Sequence, residues 1–202
     1  MGSVHESLCA DKREPGSSAL VVCPSLPADE TIRCVDALRS SRSRTEPTVV
    51  VSRAHTAQAL LENWQSTIGS FPERLGIVSI GEVTRSVSAA STAVTLPQAY
   101  VQTIGTEDVT GIGIAIGEAF LRWEDDTNPL LWFDSLTPLI EGKGLEMTFR
   151  FLHVTLEEVR QAGAVAYVHI DSEKHDEQTI RTLGHLFDDV LEYDTESVTL
   201  NE

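Results

Sequence analysis

Asp134 closes the apolar run Leu130-Leu-Trp-Phe-Asp134. An acid at the end of a buried strand can bind a cation, take a proton or cap the next turn, here Ser135-Leu-Thr-Pro138. His55 follows the run Thr48-Val-Val-Val-Ser52 and is the plausible base in that neighbourhood. His169, Asp171, His175 and Asp176 form a compact His/Asp group around the end of Ala164-Val-Ala-Tyr-Val-His-Ile170. Such side chains at a sheet edge can hold zinc or manganese. Their spacing matches no metal motif, and a hydrogen-bonded edge, with Asp176 capping a helix, is the simpler reading. Asp134, His169, Asp171 and His175 are therefore the metal candidates, and Asp134 with His55 the catalytic ones. The sequence holds no Gly-x-Ser-x-Gly elbow for a nucleophile. Gly111-Ile-Gly-Ile-Ala-Ile116 is not a dinucleotide fingerprint, because Gly117 falls one place late. Those glycines read as close helix packing.

Alternating strands and helices position these groups. Residues 1–17 are polar and without periodicity, and are expected to form a disordered leader. The remainder, 18–202, reads as one domain. Apolar runs predict strands over 19–23, 48–52, 75–80, 130–134 and 164–170, with shorter ones at 100–104 and 189–193. A further pairing of 198–200 with the last strand is also expected. Caps and 3.6-residue spacing predict helices from Asp29 to about Leu38, Thr56 to Ile68, Asp108 to about Trp123, Glu146 to Ala162 and Asp176 to Phe187. The Ser/Thr/Ala-rich stretch 82–97 reads as a surface loop. Strands separated by helices imply a three-layer α/β/α domain with a mostly parallel sheet, which gathers ligands at the carboxyl ends of its strands. Cys23, Ser52, Asp134 and Asp171 all fall at or just past such ends.

Global composition narrows the partners. The chain of 202 residues has a formal net charge of −16. That argues against a nucleic-acid backbone as ligand, since such binding needs Lys and Arg to displace counterions. Arg39, Arg42 and Arg44 form one local basic loop that could instead touch an acidic partner. The acid-rich composition, with Lys12, Lys143 and Lys174 the only lysines, resembles that of cytoplasmic proteins from salt-in halophiles. No apolar run approaches the roughly 18 residues of a membrane helix, and no secretion signal is evident, so a cytoplasmic location is expected. Cys9, Cys23 and Cys34 fit no zinc pattern and read as buried reduced thiols. Trp64, Trp123 and Trp132 read as core.

Several segments in order carry a resemblance. Leu130-Leu-Trp-Phe-Asp-Ser-Leu-Thr137 resembles the Walker B strand of the RecA, RadA and KaiC superfamily. Asp108-Val-Thr-Gly-Ile-Gly-Ile-Ala-Ile116 is similar to the helix before it, and Phe149-Arg-Phe-Leu-His153 to the helix after it. The stretch from His175 to Glu192 resembles the closing helix and strand of KaiC-like proteins. The resemblance is greatest to small, divergent KaiC-like proteins of haloarchaea and implies a RecA-like, P-loop NTPase-like fold.

The same resemblance exposes what is missing. A working phosphate loop reads Gly-x-x-x-x-Gly-Lys-Ser/Thr: backbone N–H groups surround the phosphates, Lys neutralises them and the hydroxyl binds magnesium. The stretch after the first strand is Cys23-Pro24-Ser25-Leu26-Pro27-Ala28-Asp29-Glu30. In that register Cys23 and Ala28 replace the glycines, Asp29 the Lys and Glu30 the Ser/Thr. Pro24 and Pro27 remove two N–H donors. A charge pair about 4 Å apart is worth roughly 4 kcal/mol at an effective dielectric near 20, so reversing its sign costs about twice that before screening. Arg53 and Ala54 stand where paired acids would polarise the attacking water. The expectation is a catalytically inactive regulatory or scaffolding relative that needs no cofactor and acts through a protein partner or its own oligomer. The alternative is a divergent nucleotide- or metal-dependent enzyme using Asp134 with His55, Asp171 or His169, which requires those side chains to converge.

Overall fold

A computed structural model describes residues 3–40, 42, 45–81, 99–106, 108–123 and 127–193. Among the described residues seven strands are interspersed with helices: β1 (Ser18–Cys23), β2 (Thr48–Ser52), β3 (Leu75–Gly81), β4 (Tyr100–Gly105), β5 (Leu130–Asp134), β6 (Val165–Asp171) and β7 (Asp189–Glu192). The helices are α1 (Val4–Leu8), α2 (Ala28–Ser40), α3 (Ala57–Thr67), α4 (Val109–Leu121), α5 (Thr137–Lys143), α6 (Leu145–Gln161) and α7 (Glu177–Gly184). The strands form one all-parallel sheet in the order β4-β3-β2-β5-β6-β1-β7. Helices cover both faces, which gives the expected three-layer α/β/α architecture of the Rossmann or RecA-like kind.

Burial follows from the strand period. Every residue of β1, β2, β5 and β6 is buried, as strands covered on both faces must be. Successive side chains enter two separate cores. Leu20, Val22, Val51, Phe133 and Val168 pack under α4 and α6. Ala19, Val21, Val50, Trp132 and Tyr167 pack under α2 and α3. Trp64 and Trp132 are fully buried, and Trp123 packs against the first cluster.

The structure revises several sequence expectations. The segment read as a disordered leader carries α1, whose Val4 and Leu8 are buried against α2. Two apolar residues one helical turn apart suffice to dock a short helix, and periodicity cannot register so brief an element. Helix α5 was not expected. It is only one short stretch with Pro138 in its first turn, where a missing N–H costs nothing, and Gly144 at φ 81° ends it. Helix α7 stops at Gly184 rather than Phe187, because a turn brings Gly184 against Val190 of β7. Cys23 and Cys34 are buried as expected, but Cys9 is exposed. The loop read at 82–97, the strand at 198–200 and Arg44 lie outside the described residues.

Candidate functional site at the carboxyl edge of the sheet

Sheet order brings distant residues together. β2, β5, β6 and β1 are consecutive neighbours, so Ser52 pairs with Asp134, and Cys23 with Asp171. Alternation then decides which way the side chains point. Asp134 continues the face of Leu130 and Trp132, and His169 and Asp171 that of Val165 and Tyr167. These polar groups therefore lie on the side covered by α2, at the edge where parallel sheets place their ligands.

Asp134 is 1% exposed and His169 1%. His169 Nδ1 lies 2.9 Å from Asp134 Oδ1, and His169 Nε2 lies 3.1 Å from the Cys23 carbonyl oxygen. The other carboxylate oxygen, Oδ2, faces the Thr31 hydroxyl at 3.5 Å and His55 Nε2 at 3.8 Å. His55 is held by its backbone N–H, which donates to Ser52 Oγ at 3.0 Å, and its ring also approaches the Leu26 carbonyl at 3.4 Å. Arg53 staples the edge: its backbone N–H donates to the Asp134 carbonyl and its guanidinium to the Pro138 carbonyl.

A second cluster lies beside the first. Ser25 Oγ donates to Asp171 Oδ2 at 2.5 Å, and the Glu173 N–H donates to Asp171 Oδ1 at 2.9 Å. The Thr137 hydroxyl accepts from the Asp171 N–H and meets His175 Nε2, both at 3.1 Å. Ser25, Asp134, Thr137, His169, Asp171 and Lys174 help line an open cleft of about 140 Å³. Ligand pockets usually start at about 300 Å³, so this one suits a small molecule or a few waters better than a nucleotide.

Known proteins place the chain without assigning it a role. The model of a family of unknown function, DUF7504, matches residues 16–193. The chain belongs to the DUF7504 family. No protein among the curated ones matches its sequence. A solved structure from Pyrococcus horikoshii OT3, described as a structural study of project PH0250, aligns with TM-score 0.56 at 13% identity. The alignment covers 89% of this chain and 83% of that one. At that identity the likeness speaks for the fold alone.

In this DUF7504 protein the four metal candidates are engaged in hydrogen bonds, as the simpler reading has it. Asp134 and His169 are spent on each other, Asp171 on Ser25 and Glu173, and His175 on Thr137. Among the described residues no three His, Cys, Asp or Glu side chains stand where they could share a metal ion. His153 and His185, on α6 and just past α7, are exposed and take no part. The catalytic candidates do converge, since His55 and His169 both reach Asp134.

The start of α2 also meets the strand-end acid. The hydroxyl that faces the strand-end acid is Thr31, one residue beyond the expected stretch and fully buried. If the superfamily resemblance is counted from that hydroxyl, Glu30 would fall at the Lys position, Asp29 at the second glycine and Pro24 at the first. Glu30 is bound by His5 Nδ1 at 2.8 Å, so α1 covers this corner of α2. Magnesium-nucleotide, which the superfamily resemblance implies, does not fit these residues. The helix start offers two carboxylates instead of a cation, and Asp134 is already partnered. Sequence reading missed Thr31 because the apolar run fixed the window at Cys23. Thr31 itself, next to Ala28-Asp-Glu30, was the available signal.

Burial also controls the thiols here. It pushes the Cys34 thiol well above its ordinary range, with nearby Glu30 adding to the effect. That favours the neutral, unreactive form.

Proposed function

We propose that this protein is a catalytically inactive RecA/KaiC-like regulatory or scaffolding protein that acts through protein–protein contacts. One observation carries the reading. Asp29 and Glu30 open α2 at the place where a phosphate would need a helix N-terminus and a lysine, and Glu30 is already held by His5. An anion approaching this corner meets two negative charges and two proline residues without N–H groups. The small cleft volume supports the same reading. Acid-rich composition supports a cytoplasm of high salt, a haloarchaeal one by resemblance, and gives no support to nucleic-acid binding.

Calorimetry with ATP and magnesium in molar KCl tests the proposal. No heat of binding is expected. Micromolar binding that disappears in Asp134→Ala would reject it. A pull-down from cells in native salt should recover a protein partner or further copies of the chain.

A divergent enzyme is the second reading, favoured by the convergence of His55, His169 and Asp134 beside the cleft. It assigns proton transfer to His55, which is part-exposed, whereas Asp134 and His169 are almost wholly buried. Turnover of a small substrate that is lost in His55→Ala, without loss of stability, would favour it over the scaffold.

A further inference from the structure

We infer that His169 is a built-in cation: its imidazolium takes over, for Asp134, the neutralising role that a divalent ion plays in a working nucleotide site. In such a site the strand-end Asp and the helix-start Ser/Thr hold magnesium between them. Both groups are here and face each other, Thr31 Oγ1 to Asp134 Oδ2 at 3.5 Å. The charge between strand and ligand is instead supplied from the next strand.

Geometry supports a doubly protonated ring. His169 Nδ1 faces a carboxylate oxygen and Nε2 faces a carbonyl oxygen, at 2.9 and 3.1 Å. The Cys23 carbonyl has no hydrogen to give, and an ionised Asp134 has none either, so beside a carboxylate each ring nitrogen carries its own. A ring with two N–H groups is positively charged. An unpaired carboxylate as deeply buried as Asp134 would be very costly, and the adjacent imidazolium removes that cost. Burial alone disfavours a charged ring, but the hydrogen bonds to Asp134 and Cys23 outweigh it, and the histidine is pushed up to about 10.

The ring also acts mechanically. It sits on β6 and binds β5 through Asp134 and β1 through the Cys23 carbonyl, bridging three adjacent strands at the edge where a ligand would enter. The strand-end acid is thus charge-balanced and held in place with no ion. An enzyme at this edge would likewise have to work without a metal on Asp134.

Nitrogen NMR of the full chain, labelled at histidine, reads the state directly. Both ring nitrogens of His169 should be protonated at pH 7.5; one unprotonated nitrogen overturns the assignment, whatever becomes of the scaffold reading. Thermal melts supply the second arm. His169→Gln should lower the melting temperature by roughly 10 °C by stranding a buried charge. The double variant His169→Gln with Asp134→Asn should recover at least half of that loss. Millimolar Mn²⁺ should leave the wild-type melt unchanged. Stabilisation of the wild type by Mn²⁺, or a double variant no more stable than His169→Gln, would show that the ring does not serve as the cation.

Discussion

Thr31 Oγ1 and Asp134 Oδ2 stand 3.5 Å apart, joining the first turn of α2 to the end of β5 across the sheet's carboxyl edge. On the proposed RecA/KaiC-like reading, this contact would set Asp29 and Glu30, rather than Ala28 and Asp29, where a phosphate loop carries a glycine and a lysine. Restoring them is therefore a defined experiment. The pair Asp29→Gly with Glu30→Lys should raise affinity for inorganic pyrophosphate into a range measurable by calorimetry. The same change one residue earlier, Ala28→Gly with Asp29→Lys, should do less. Equal gain from both pairs would discredit the register.

Helix α1 should contribute real stability. Leu8 is fully buried, and Leu8→Ala is expected to cost about 2–5 kcal/mol in denaturant unfolding. His5→Ala removes only a partly exposed pair with Glu30 and should cost about 1 kcal/mol or less. Similar small losses from both variants would mean that α1 does not stay docked in solution.

Alkaline pH should weaken the fold through His169. The folded ring is raised to about 10 from an ordinary 6.5, so between those values the folded chain keeps a proton that the unfolded chain has released. The stabilising contribution is complete below about pH 6.5 and drains away as the pH climbs toward 10. Its charged and titratable surroundings are Asp134 on β5, Cys23 on β1 and His55 beyond the carboxylate. Denaturation midpoints should fall from pH 7 to 9.5 in the wild type, and fall less in Asp134→Asn with His169→Gln. Matching slopes would remove His169 as the cause.

Salt should stabilise. With a net charge of −16, self-repulsion opposes the compact state, and molar salt shortens the Debye length to about 3 Å. The melting temperature is expected to climb between 0.1 and 2 M KCl. A flat response would detach the composition from any adaptation to brine.

The fold was legible because its central strands are continuous apolar runs and three of its helices start on side-chain caps. Asp108 accepts from the Gly111 N–H, Asp176 from the Thr179 N–H and Thr56 from the Ala59 N–H. Gly111 shows the limit of the packing reading: a side-chain carbon there would come within 2.3 Å of the Asp108 carboxylate, so its smallness serves the cap. Asp134, His55 and His169 were visible as isolated strand-end residues. What no linear spacing could reveal was the pairing of Asp134 with His169, which depends on β5 and β6 being neighbours and on both residues facing α2. Asp171 and His175 looked like ligands for the same reason. Proximity in sequence put them together, and the turn after β6 sends their side chains to different partners, Ser25 and Thr137.

The contact between His5 and Glu30 lies astride the family boundary, because the shared DUF7504 region starts at residue 16. A recombinant fragment trimmed to that boundary would keep every strand yet lose Val4, Leu8 and His5, uncovering an oily stripe and an unshielded acid on α2. Sticky, poorly behaved protein from such a fragment would reflect where the cut was made, not a defect of the family fold.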